Sequence, residues 1–389
     1  MSSIYLVAAE ASGDALGADV IDALRVQAPG VKLAGVGGEK MRARGVGSAI
    51  DMSGLAVLGL FDGLKAYGRV KAKVIEVADE IAKVDPDAVV LIDSWGFMWR
   101  VARALKERGL KARRIKLIGP QVWATRPGRA KVLAQWCDHL LCIHDFEQPF
   151  YEKWGLPTTV IGNPAVGRSA KGDGPAFRAS VGIPKDAPVI GMLPGSRPSE
   201  IRRVAPVLAA AAEKLCSENE ARQVLCVVAP SVAESVRAMA QKWIFPHVLV
   251  EDEARKADAF AAMDVALACS GTVTTELAEQ GAALVVGYKL GWFTWAIARA
   301  FLMRSKFITL LNVAAGREVA PEFVQTRFFP ASMAAAARRL LVDDARRKAQ
   351  VDAQNAALKR MAGPGRPAAE IAAETVLGLA GGGLRTSSP

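Results

Sequence analysis

Short apolar runs, each closed by a small-residue or acidic turn and followed by a segment of helical period, repeat along most of this chain. Ile4–Ala8 leads into Glu10-Ala11-Ser12-Gly13-Asp14, then Leu16, Val20, Ile21 and Leu24 at helical spacing. Ala88–Ile92 closes on Asp93, and Val189–Leu193 closes on Pro194-Gly195-Ser196 ahead of Ile201, Val204, Val207 and Leu208. Strand and helix patterns in this alternation predict an α/β fold with parallel, doubly wound sheets. A chain of 389 residues exceeds what one core usually organises. The Gly- and Pro-rich stretch NPAVGRSAKGDGP at 163–175 reads as an interdomain linker. The expectation is two Rossmann-like domains, 1–165 and 175–330, whose sheets face a cleft, with ligands at the carboxyl ends of the strands. The Ala-rich helical segment 331–380 is long enough to cross back between domains or to be swapped in a homodimer, and 381–389 reads as a flexible tail.

Hydrophobic residues make up 51% and charged residues 23% of the chain, which excludes a disordered polymer. A formal charge of +11 points to an anionic partner: nucleic acid, an anionic membrane surface or a phosphorylated substrate. Nucleic acid fits poorly, because the chain has no arginine-rich arm, zinc-finger spacing or RNA-binding aromatic motif. Five scattered cysteines without a C-x-x-C read as buried thiols in a reducing compartment. The N-terminus lacks a basic, apolar signal-peptide pattern, and no run reaches the ~18 apolar residues of a spanning helix. A cytoplasmic protein, soluble or peripheral to a membrane, is expected. With no D-x-D pair, H-E-x-x-H or Cys/His cluster, neither a metal nor a cofactor is expected, and the P-loop pattern is missing too.

Two junctions suit a phosphate group. Leu193-Pro194-Gly195-Ser196-Arg197-Pro198-Ser199-Glu200 joins a strand to a helix, where amide N–H groups and a guanidinium fork favour anions. Ser270-Gly271-Thr272-Val273-Thr274-Thr275-Glu276 repeats the arrangement after Val265–Ala268, and Glu276 is placed to accept from a ribose diol. An ordinary capped turn accounts for either junction alone; two in one domain favour a nucleoside diphosphate. Asp93 at a strand end is a candidate general base, against the alternative of a helix cap. Glu10, Ser12 and Asp14 crowd the first such turn. Gln121, Trp123 and Arg126 combine hydrogen-bonding, aromatic and basic groups suited to a sugar or phosphate. Asn312, Arg317 and Glu318 belong either to a salt-bridged surface turn or to a polar binding site. Two apolar stretches beside basic residues, with Val57, Leu58, Leu60 and Phe61 in one and Trp292 and Trp295 in the other, read as core helices or as interfacial helices.

Taken together, the stretches AAEASGDALGADVIDALR, GVGGEKMRARG, GPQVWATRPGRAKVL, FYEKWGLPTTVIGNP, LPGSRPSEIRRVAPVL, SGTVTTELAEQGAALVVGYK and LLNVAAGREVAPEFVQ resemble the lipid-A-disaccharide synthase family. They run collinearly from the first strand to about residue 325, and the combination rather than any single motif carries the resemblance. It implies a GT-B-like fold and a glycosyltransferase peripheral to the inner membrane. The implied reaction joins a UDP-diacylglucosamine donor to an acylated sugar-phosphate acceptor, with inversion and release of UDP. Ser196, Arg197, Ser270, Gly271, Thr272, Glu276 and Asn312 are then expected on UDP. Asp93, Glu10 or Asp14 is expected as base, and Ser12, Gln121, Trp123, Arg126, Arg317 and Glu318 on substrate. The family pattern I-D-x-P-D-F is met by Ile92-Asp93-Ser94-Trp95-Gly96-Phe97, so Gly96 stands where the favoured second acid would be. Two alternatives remain at this stage: another GT-B enzyme of UDP-sugars, such as a muramyl-intermediate transferase or epimerase, and a non-catalytic UDP-sugar-binding homologue.

Overall fold

Every strand pairing among the described residues is parallel. The computed structural model describes residues 2–48, 50–52, 63–167, 170–291 and 305–382, with the backbone alone for 63–67. Its contacts divide the chain into two units, Met1–Pro164 with Gly363–Pro389, and Ala165–Ala362.

The first unit is built on β1 (Ser3–Ala8), β2 (Lys32–Val36), β3 (Ala88–Ile92), β4 (Arg113–Leu117), β5 (His139–Cys142) and β6 (Thr158–Val160), in the order β2-β1-β3-β4-β5-β6. Its helices are α1 (Ala11–Gln27), α2 (Glu39–Arg42), α3 (Gly63–Val84), α4 (Trp95–Glu107), α5 (Gly128–Trp136) and α6 (Gln148–Glu152). Alternation along the strands sends side chains to two cores. Ile4, Leu6, Val90 and Ile92 meet Ile21 and Leu24 of α1 on one face. Tyr5, Val7, Val89 and Leu91 meet Val77, Ile81, Met98 and Val101 on the other.

The second unit has β7 (Val189–Leu193), β8 (Gln223–Val227), β9 (His247–Val250), β10 (Val265–Cys269), β11 (Ala283–Tyr288) and β12 (Glu322–Val324), in the order β12-β11-β10-β7-β8-β9. Its helices are α7 (Gly174–Ser180), α8 (Pro198–Arg203), α9 (Ala205–Glu218), α10 (Ala233–Ala240), α11 (Lys256–Ala261), α12 (Val273–Glu279), α13 (Leu310–Ala315), α14 (Pro330–Val342) and α15 (Asp344–Ala362).

Each sheet reverses its winding direction once. The reversal lies between β1 and β3 in the first unit and between β7 and β10 in the second. At such a switch point neighbouring connections leave on opposite faces, so a crevice opens beyond the carboxyl ends of the two strands. Four of the turns singled out in the sequence, those carrying Glu10–Asp14, Asp93, Ser196–Arg197 and Ser270–Thr272, follow β1, β3, β7 and β10.

The Ala-rich C-terminal segment is not one continuous helix. It breaks at Asp343 and again at Gly363–Pro367, where Gly363 (φ 80) and Gly365 (φ 77) take left-handed backbone. A Cβ at Gly363 would lie 2.5 Å from the Cα of Gly162, so only glycine permits this approach. Beyond the break the chain returns to the first unit. The closing helix Ala368–Ala380 packs Ile371, Ala372 and Val376 into the same core as α1, and Gln27 Nε2 donates to the Glu370 carbonyl at 2.9 Å. Among the described residues no helix is long and apolar enough to cross a membrane. Val57, Leu58, Leu60, Phe61, Trp292 and Trp295 lie outside the described residues.

Candidate functional site

At the first switch point the register pairs Ala8 with Ile92, which sets the turn after β1 beside the turn after β3. Ser12 Oγ donates to Asp93 Oδ2 at 3.1 Å, and Ser94 Oγ donates to Glu10 Oε1 at 2.7 Å. The cross-pairing ties two carboxylates and two hydroxyls into one cluster at the sheet's carboxyl edge. Asp93 (φ 50) and Ser94 (φ 38) both take left-handed backbone, and α4 starts immediately after them. Such backbone costs roughly 1–2 kcal/mol per non-glycine residue and persists only where its surroundings hold it.

The support comes from a residue that no sequence motif marked. Lys116 on β4 is 1% exposed, and its Nζ donates to the carbonyls of Asp93 (2.5 Å), Leu117 (3.1 Å) and Leu91 (3.2 Å). Burial pushes this ammonium down to about 8, against the nearby Asp93 charge, which favours the protonated form. A lysine beside two arginines on β4 gives no signal in the sequence, because its partners are main-chain oxygens of β3, of the turn after it and of its own strand.

Asp14, expected among the acids, has a different task. The helical pattern begins at Leu16, but α1 already starts at Ala11, which turns Asp14 away from the strand end. It is 6% exposed and accepts from the amides of Gly38 (2.8 Å), Lys40 (2.9 Å) and Met41 (3.1 Å). Both its oxygens are thus engaged in capping α2, which corrects the expectation of a base at this position.

After β4, Gln121 and Arg126 are exposed in the turn, with Arg126 at φ 49. Trp123 packs edge-on against Phe146 at 5.4 Å, and Phe146 stacks on His144 at 4.9 Å. Beneath them Glu147 is 3% exposed, and burial raises its carboxyl to about 8, opposed by the neighbouring Trp123 indole. The sequence reading missed Glu147.

At the second switch point a cavity of about 350 Å³ is lined by Ser196, Arg197, Ser270, Gly271, Thr272 and Glu276, together with Glu200, Glu253 and Lys256. The expected residues from both junctions therefore share one cavity, with one correction. The amides of Ser196 and Arg197 are not open to a ligand. Glu200 accepts from both (3.0 and 3.2 Å) and from Arg197 Nη1 (2.8 Å). Its carboxylate caps α8 from within, while the Arg197 side chain stays 73% exposed. Gly195, at φ 109, makes room: a Cβ there would lie 2.5 Å from Glu200 Oε2. On the other side Gly271 is open, since an added Cβ would meet nothing within 4 Å. Lys256 pairs with Glu276 at 2.9 Å and was also missed by the sequence reading, because α11 carries no turn motif.

Asn312 is a further correction. It is fully buried, accepts from the amides of Val319 (2.7 Å) and Ala320 (2.9 Å), and donates to the Ala320 carbonyl and to Glu322 Oε1, both at 2.8 Å. Glu322 in turn accepts from the amides of Ile308 and Thr309 and from the Thr309 hydroxyl. With its amide used up inside the protein, Asn312 shapes the loop that exposes Arg317 and Glu318 and presents nothing to a nucleotide. Neither Arg317 nor Glu318 lines the cavity.

The family profile described as lipid-A-disaccharide synthetase matches residues 4–376. A lipid-A-disaccharide synthase from Rhodospirillum centenum is 38% identical over 378 residues, covering 97% of this chain and 94% of the relative. Among solved structures, the S. aureus MnaA–UDP co-structure superposes with a TM-score of 0.60 at 13% identity, covering 100% of this chain and 99% of that one. The calicheamicin glycosyltransferase CalG4 gives 0.56 at 14% identity and full coverage of both chains. The fold is of the GT-B type.

Proposed function

This chain belongs to the lipid-A-disaccharide synthetase family and is a lipid A disaccharide glycosyltransferase, and on that premise we propose how its two switch points divide the reaction. UDP-2,3-diacylglucosamine is the donor and 2,3-diacylglucosamine 1-phosphate the acceptor. The acceptor's 6-hydroxyl attacks the anomeric carbon, UDP leaves, and a β-1,6 bond forms with inversion.

Two demands follow from that chemistry. The attacking hydroxyl must give up a proton, and the leaving diphosphate must be met by fixed donors. Asp93 takes the proton. It is carried on a strand end, oriented by Ser12 and held from behind by Lys116. Glu10 sits beside it on Ser94 and adds a second acid to the edge. The second-unit cavity receives the diphosphate, with the exposed Arg197 side chain and the open Ser270–Thr272 turn as donors. Glu276, released from Lys256, accepts from the ribose. Gln121, Trp123, Arg126, Arg317 and Glu318 contact the sugar and its phosphate. The enzyme works at the surface of the inner membrane, where both acylated substrates reside.

The observation that carries the reading is the coincidence of both motif-bearing turn pairs with both topological switch points. A test is turnover of the purified chain with the two acylated substrates in detergent, following UDP and the disaccharide. Equal yields of the two products support the transferase. UDP release without disaccharide, or sugar epimerisation, supports a different GT-B activity.

A further inference from the structure

Helix α4 buries Phe97, Met98, Val101, Ala102 and Leu105, each 5% exposed or less. Trp95, Trp99 and Arg103 follow at i, i+4 and i+8 along the border of that face: Trp95 packs partly against the core, Trp99 is half-buried and Arg103 is exposed. The two indoles stack at 6.3 Å. Beside them α5 adds Trp136, half-buried against the same core, and the turn after α6 adds Trp154, which is 44% exposed. Four of the chain's eight tryptophans thus lie on one flank of the first sheet.

The cations of this flank are arranged on the rings. Arg100 lies over Trp99 at 4.5 Å and Arg129 over Trp95 at 5.4 Å. Arg103 and Lys106 lie over Trp136 at 5.5 and 5.9 Å, and Lys131 and Lys153 over Trp154 at 5.2 and 5.9 Å. Six cations on these segments face two acids, Glu107 and Glu152. Glu107 is paired with Arg103, and Glu152 accepts from Thr158. An aromatic face attracts a cation through its quadrupole without consuming an N–H donor; Arg100 and Lys106 also donate to the carbonyls of Gly96 and Gln135, and the donors not used in this way are available to phosphate. The exposed Trp154 and the half-buried Trp99, backed by Trp95 and Trp136 at the edge of the core and set among phosphate-seeking cations, match the chemistry of a bilayer's headgroup layer, where ring bodies meet acyl chains and charges meet phosphates.

We propose that the α4–α5–α6 flank of the first unit is the face with which this protein lies on an anionic lipid surface. The assignment deepens the inner-membrane reading above and does not depend on which acid is the base. It differs from the expectation that segments around Leu60 and Trp292 make the contact. Because α4 begins two residues after Asp93, the same face would carry the lipid surface up to the first switch point.

The test is co-sedimentation of the full chain with phosphatidylcholine vesicles and with vesicles containing phosphatidylglycerol, at low and high salt. Salt-sensitive binding to the anionic vesicles is expected. A Lys131→Glu, Lys153→Glu, Trp154→Ser variant should bind them at least about tenfold more weakly. Its thermal unfolding and its turnover of detergent-dispersed substrates should match wild type. Undiminished vesicle binding by this variant overturns the assignment. So does a loss produced instead by Leu58→Ser with Leu60→Ser. If wild type ignores anionic vesicles altogether, the inner-membrane reading falls with it, while detergent turnover still reports on the transferase.

Discussion

The ammonium of Lys116 donates to the main-chain carbonyl of Asp93, so a buried cation on one strand fixes the backbone of the candidate base on the next. Two further carbonyls, of Leu91 and Leu117, complete its coordination. Charge-assisted bonds of this kind contribute about 1.5–3 kcal/mol each, enough to hold two consecutive left-handed residues. A Lys116→Met variant should lose about ten- to a hundredfold in kcat with little change in donor KM, since the lysine acts on geometry and not on the nucleotide. The ammonium is pushed down to about 8, so wild-type turnover should begin to fall as pH rises through that value. Lys116→Met should lack this limb. Steady-state kinetics across pH 6 to about 9.5 check both.

Gly96 tests whether Asp93 suffices. An added Cβ there meets nothing within 4 Å, and the position lies in the first turn of α4, where a carboxylate is favoured. Gly96→Asp should be as stable as wild type or up to about 1 kcal/mol more so. The double variant Gly96→Asp, Asp93→Asn should stay inactive. Recovery of turnover in the double variant would move the proton transfer to position 96.

Arg197 and Glu200 separate binding from architecture. Arg197→Ala should raise the donor KM about ten- to a hundredfold while the fold persists, because its side chain is largely exposed. Glu200→Ala leaves two amides and a guanidinium without their acceptor and should cost about 1–2 kcal/mol of stability. Donor titrations and thermal unfolding distinguish the two effects.

Glu147 makes stability depend on pH. Its folded-state value is raised from 4.5 to about 8 by burial, so its contribution is fully present below pH 4.5 and is lost as pH rises through 8. Glu147→Gln removes that dependence. Relative to wild type the variant should gain on the order of 3 kcal/mol between pH 5 and pH 8. Denaturant unfolding at the two pH values measures the difference, and parallel curves for the two proteins would contradict it.

The sequence made the architecture legible because strands buried on both faces are continuous apolar runs, and β1, β3, β7 and β10 each end in a marked turn. The strand order, and with it the two switch points, came from the structure. Much of what stayed hidden shares one physical cause: polar groups whose partners are the protein's own backbone atoms, near or far in sequence. Lys116 on main-chain carbonyls, Asp14 on the α2 amides, Asn312 on Val319 and Ala320, and Glu200 on the amides thought free for phosphate are all of this kind. Residue type announces polarity, but not whether the partner is a ligand or the protein itself. The C-terminal return was half visible: the segment read as long enough to cross back between domains, while its break at Gly363 and Gly365 and the packing of the closing helix on α1 depend on contacts across the whole chain.

The most direct test compares wild type with Asp93→Asn, measuring disaccharide formation and, separately, UDP binding by calorimetry. The account predicts turnover reduced by about a hundredfold or more, with UDP affinity unchanged, because the amide keeps the hydrogen bond from Ser12 but cannot take a proton. Turnover within a few-fold of wild type would contradict it and shift the proton transfer to Glu10, the other acid in the cluster.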